Sequence, residues 1–140
     1  MSFPRRPSWS KTTAPRPVPR EGILAVYAVI NGPRTWRSLK LAIDTGATYT
    51  MLPPDVLIDI GYHPAAAARS LELSTANGLV VAPLLQLRSL KCLGRSVKGL
   101  DVVAHRLPSE SPVEGLLGLN FLTQFPPFQT FVRSLKPFRL

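Results

Sequence analysis

The sequence predicts an all-β domain, closed or sandwich-like, with one or two short helices. Three observations support this. Apolar runs rich in Val, Ile, Leu and Tyr are short, as strands are, and turn signals recur between them at Asn31-Gly32-Pro33, Ala76-Asn77-Gly78 and Gly94. The chain is also long enough, at 140 residues with 45% hydrophobic content, to bury one genuine core but not two comfortable ones. No internal repeat breaks the pattern.

Residues 1–21 form an arm and 22–140 the domain. Residues 1–20 hold five of the fifteen prolines, five basic side chains and no acid, so much of the +9 net charge lies ahead of the domain. From Gly22 the strands begin. GILAVYAVI runs into the Asn-Gly-Pro turn, and RTWRSLKLAI returns from it as a hairpin. YTML continues the chain after Asp44 as a strand, taken here from Ala47 to Leu52. PPDVLIDIG reads as a short helix, with Pro54 in its first turn and Gly61 as its stop. RSLELST and LVVAPLLQL flank Ala76-Asn77-Gly78, where Gly78 accepts the positive φ of a tight turn. KCLGRS turns at Gly94, and SVKGLDVVA reads as one further strand. His105 to Gly115 is a loop. EGLLGLNFLTQF gives a strand into Gly118 and a short helix from Leu119, ended by Pro126-Pro127, after which FQTFV supplies a last strand.

The sequence poses its sharpest question in LAIDTGATYTML, Leu41 to Leu52. Asp44 follows an apolar strand, and a buried carboxylate costs free energy unless it is hydrogen-bonded, protonated or paired. Gly46 permits a turn whose amides point back at that carboxylate, and Thr45 places a hydroxyl beside it. As a plain turn residue Asp before Thr-Gly would be ordinary. The expected strand after it argues for a built site.

This segment resembles the active-site segment of aspartic peptidases, in which an apolar strand leads into Asp-Thr/Ser-Gly. VEGLLGLNFL, Val113 to Leu122, is similar to the second signature of that group, and LSTANGLVVAPLL resembles the flap hairpin of its single-domain members, the retropepsin-like proteins. The three lie in the family's order across about residues 22–133. The resemblance implies a closed β-barrel with a flap hairpin. It implies an aspartic endopeptidase in which catalysis needs two carboxylates sharing one proton, because like charges at close range do not both ionise. This chain has one such segment, and Asp55, Asp59 and Asp101 sit in no comparable context. The second Asp44 is therefore expected from a second copy, in a homodimer whose two-fold axis passes through the site.

By the same resemblance, Asp44, Thr45 and Gly46 form the catalytic loop, with Thr45 locking the two loops across the axis. Ala47 and the flap residues Thr75, Ala76, Asn77 and Gly78 contact a polypeptide substrate, and Leu117 and Gly118 support the loop from behind. No metal or organic cofactor is implied. The flap lacks the aromatic residue that many relatives place near its tip, and the prolines near the C-terminus depart from the ladder-forming end strands of retroviral relatives.

Other constellations are weaker. The single cysteine, Cys92, lies in an apolar strand pattern and reads as a buried, inert thiol, not as a nucleophile partnered by His63 or His105. Two histidines without clustered acids make no metal site. Asp101 and Glu114 read as surface or loop charges. The glycines of GLLGLN lack the Lys-Ser/Thr of a phosphate loop. A catalytically inactive module that holds peptide or nucleic acid in the same groove is the alternative function. Binding of nucleic acid or an anionic surface by residues 1–20 is the lesser reading of the arm, a solvated tail the favoured one. With neither a spanning segment nor a convincing export signal, the expected location is the cytoplasm.

Overall fold

The computed structural model describes residues 23–125. Nine strands and two short helices occur among them: β1 Ala25–Asn31, β2 Trp36–Ile43, β3 Thr50–Leu52, α1 Pro54–Asp59, β4 Arg69–Thr75, β5 Gly78–Gln86, β6 Ser89–Cys92, β7 Arg95–Lys98, β8 Asp101–Ala104, β9 Gly115–Leu117 and α2 Leu119–Leu122, with a 3-10 turn at Pro64–Ala66. The strands make one curled sheet in the order β4-β5-β8-β3-β9-β2-β1-β6-β7. The all-β class with one or two short helices expected from the sequence is what the chain adopts. The arm, Pro126-Pro127 and the FQTFV strand lie outside the described residues.

Alternation explains how the sheet closes over its core. Along β1 and β2, Ala28, Ile30, Leu39 and Leu41 point inward and are fully buried, while Tyr27 and Trp36 point out. The inward set meets Leu52, Leu57, Leu90, Val102, Leu117, Phe121 and Leu122 in one cluster. A smaller cluster of Ala82, Leu84 and Val103, joined by Tyr49, Leu71 and Leu73, lies at the base of the β4–β5 hairpin.

Two local expectations are corrected. Ala47 to Leu52 is not a continuous strand: the chain bends through Ala47–Tyr49, and β3 starts at Thr50. The carbonyls of Ala47 and Thr48 accept hydrogen bonds from the amides of Leu119 and Asn120, at 2.8 and 3.0 Å, so this stretch is tied to the start of α2 instead of to a ladder. SVKGLDVVA is likewise two strands, not one. Gly99 takes φ +69° and turns the chain, so that β7 pairs with β6 while β8 pairs with β5 and β3.

Candidate active site

Two parallel strands set up the site. β2 and β9 run side by side, with Ile43 level with Leu117, so Asp44 and Gly118 leave the sheet together at the same end. The amide of Asp44 donates to the carbonyl of Leu117 at 3.0 Å, which locks the two exits to each other. The chain then turns at once. The amide of Gly46 donates to Asp44 Oδ1 at 2.8 Å, and the amide of Ala47 donates to the carbonyl of Asp44 at 3.2 Å. This is the backward-pointing amide expected of Gly46, and it fixes the orientation of the carboxylate.

Asp44 is half-buried, not sunk in the apolar strand; it sits just past the end of β2, where the sheet stops. Thr45 and Gly46 are exposed. The Thr45 hydroxyl makes no hydrogen bond to the described residues.

Gly118 supports the loop through space, not through an unusual backbone angle. Its φ and ψ are those of extended chain, but a Cβ there would lie 2.5 Å from the carbonyl carbon and oxygen of Tyr49 and 2.9 Å from the oxygen of Ala47. Only glycine lets the strand end press so closely against the back of the loop. Leu117, fully buried, fills the core beneath it.

Sequence reasoning missed two residues that hold this arrangement. Thr50 is the one buried polar residue of the described part, with no exposed surface. Its hydroxyl accepts from the amide of Gly118 at 3.1 Å and donates to Asn120 Oδ1 at 3.1 Å, and its amide also donates to Asn120 Oδ1, at 3.0 Å. Asn120 Nδ2 donates to the carbonyl of Asp101 at 2.6 Å. The signal available in the sequence was an Asn just inside a helix and a Thr between apolar neighbours, two polar residues that need partners when buried.

The flap hairpin forms as expected. Thr75 pairs with Gly78, Ala76 and Asn77 make the turn, and Gly78 takes φ +109° with open space around it. The Thr75 hydroxyl braces the tip by donating to the carbonyl of Gly78 at 2.7 Å and accepting from the amide of Asn77 at 3.2 Å. Ala47, Leu117 and Gly118 are thus brought together with Asp44. Thr75 to Gly78 form the hairpin tip, and Tyr49, next to the loop, packs on the small apolar cluster of that hairpin.

The remaining candidates behave as plain structure. Burial pushes the Cys92 thiol up to about 11, so it is protonated and inert at neutral pH. Asp101 forms an ion pair with Arg69 at 2.8 Å, and Glu114 Oε1 accepts from the amide of Lys40 at 2.7 Å. Among the described residues no group of His, Cys, Asp and Glu could hold a metal ion, and no helix is long and apolar enough to cross a membrane.

The chain matches known proteins at two levels. The solved structure of a retropepsin-like aspartic protease from Rickettsia conorii aligns with a TM-score of 0.59 and 23% identity, covering 77% of this chain and 76% of that one, which establishes a shared fold. No curated protein matches the chain. The family model described as "Aspartyl protease" matches residues 26–121, a span that runs from β1 through the Asp44 loop and the flap to α2. The chain therefore belongs to the aspartyl protease family.

Proposed function

We propose that the protein is an aspartic endopeptidase that works as a homodimer, each subunit contributing one Asp44 to a composite site. The observation that carries the reading is the half-site at the end of β2 and β9. A carboxylate is oriented by the Gly46 amide and backed by Gly118, and it is flanked by an exposed Thr45 whose hydroxyl is unused within the described residues. Half-exposure of Asp44 and the open side of its loop suit a site completed by a second copy.

In this mechanism one Asp44 carboxylate takes a proton from the attacking water, which adds to the carbonyl carbon of the scissile peptide bond. The other, protonated, donates a hydrogen bond to that carbonyl and later a proton to the departing amine. Thr45 bridges the loops across the axis, and Gly46 and Ala47 border the substrate. The tips at Thr75, Ala76, Asn77 and Gly78 close over an extended polypeptide and shield the reaction from water. Residues 22–140 make up the catalytic domain and 1–21 its arm. No organic cofactor enters this mechanism.

The test compares the wild type with Asp44→Asn on an unfolded protein substrate from acidic to neutral pH. Asn keeps the shape and the Gly46 bond but cannot take a proton. Cleavage by the wild type alone supports the proposal; equal cleavage by both would refute it.

A further inference from the structure

We propose that the outward face of strands β2, β1, β6 and β7 binds single-stranded nucleic acid, a role separate from the Asp44 site. The ladder registers place its side chains on a grid. Trp36 lies opposite Asn31, Asn31 opposite Ser89, and Ser89 opposite Lys98, making one row across four strands. The next row holds Val29 and Lys91, and the one after it Tyr27. Strands lie ~4.8 Å apart and same-face residues ~6.8 Å apart along a strand, so Trp36 and Tyr27 stand about 14 Å apart with Lys91 in the row between. The residues that alternate with them, including Ala28, Ile30, Leu39, Leu90 and Cys92, are buried, so this face turns away from the core.

Two features set the face apart from ordinary surface. Its large aromatics are open, Tyr27 at 69% and Trp36 at 59% exposure. Its positive charge is not neutralised: Lys91 and Lys98 are exposed and form no ion pair among the described residues. No Asp or Glu occurs in β1, β2, β6 or β7. Glu114 touches the border, bonded to the amide of Lys40, so the charge of the face rests on Lys91 and Lys98.

Aromatic faces with lysines between them suit one ligand chemistry best. Unstacked bases lie on Trp and Tyr, and phosphates meet the ammonium groups. Asn31, whose Nδ2 donates to Ser89 Oγ at 3.0 Å, presents further polar atoms between the platforms. A duplex hides its base faces, and an anionic lipid or acidic peptide does not carry a planar ring on every anionic unit, so neither would draw on Tyr27, Trp36 and the lysines together in this way.

The test uses the full chain and a fluorescently labelled twelve-nucleotide oligouridylate, with binding read by anisotropy between 50 and 200 mM NaCl. Single strand is expected to bind more tightly than a duplex of equal length. Trp36→Leu should weaken binding about tenfold and Trp36→Phe restore most of it. Lys91→Ala with Lys98→Ala should flatten the salt dependence by a slope of about 1.4, or roughly sevenfold over that salt range. A variant with Arg5, Arg6, Lys11, Arg16 and Arg20 changed to Ser separates the arm: it should keep its dependence on Trp36. All substituted side chains on the face are exposed, and unchanged melting temperatures would confirm intact folds. Absence of oligonucleotide binding, indifference to Trp36 and the lysines, or binding lost only in the arm variant would each overturn the proposal. The last two results would instead assign binding to another part of the chain or to the arm.

Discussion

Asn120→Ala offers a demanding check on how the loop behind Asp44 is held. The Asn120 side chain serves three groups: it accepts from the amide and the hydroxyl of Thr50, and it donates to the carbonyl of Asp101. Thr50 has no exposed surface, so its amide cannot turn to bulk water when the partner is removed. Each buried group left unsatisfied costs about 1–3 kcal/mol. A water entering the vacated space would recover part of this, which puts the net loss at about 2–4 kcal/mol, a large share of the ~5–15 kcal/mol of a typical domain. At roughly 4 °C per kcal/mol the melting temperature should fall by about 8–16 °C. Thermal melts and urea titrations of the wild type, Asn120→Ala, Thr50→Val and the double variant form a double-mutant cycle, and the two sites should couple by more than about 1 kcal/mol because they share bonds. A loss under about 0.5 kcal/mol for Asn120→Ala, or simple additivity, would refute the reasoning.

Three further outcomes follow from the same geometry. Gly118→Ala should cost several kcal/mol or block folding, since its Cβ meets backbone atoms of Tyr49 and Ala47 that cannot swing aside; a stable, fully active variant, read by calorimetry and substrate cleavage, would contradict the packing described. Gly78→Ala meets nothing but an unfavourable positive φ, so it should cost only about 1 kcal/mol in a urea titration. For Cys92, the folded thiol is held near 11, above the ordinary value of 9.0. The folded state therefore keeps its proton longer than the unfolded chain, and stability should be unaffected below pH 9 and fall as pH rises toward 11, by about 2–3 kcal/mol at most. Cys92→Ala should remove that slope, and the native thiol should resist alkylation at neutral pH until the protein is unfolded.

Much of the fold was legible because its signals are local. The 31–33 and 76–78 turns, the Pro54–Gly61 helix and the β9–Gly118–α2 passage each announce themselves within a dozen residues. The Asp44 loop was legible for a similar reason, since Gly46 sits where an amide can reach back to Oδ1. What stayed hidden depends on residues distant in sequence. The parallel pairing of β2 with β9 joins Ile43 to Leu117, and no local pattern gives that register. The stretch Ala47–Tyr49 reads as strand in the sequence because Thr48 and Tyr49 are β-formers. It bends because α2 offers amides to its carbonyls, a tertiary cause that overrides propensity. Gly99 reads as strand interior because nothing local shows that the flanking halves pair with different neighbours. Thr50 and Asn120 looked unremarkable alone and acquire meaning only as a pair.

The claim that two copies build one catalytic centre is tested most directly by mixing. Wild-type protein at fixed concentration is titrated with Asp44→Asn under conditions that let subunits exchange, and cleavage of an unfolded substrate is followed. Random pairing at equal amounts places half of the wild-type subunits in mixed dimers with a single carboxylate, so activity should fall to about half and continue toward zero as the variant is added in excess. Activity that stays constant per wild-type subunit throughout the titration would mean that each chain works alone, and the composite site would be wrong.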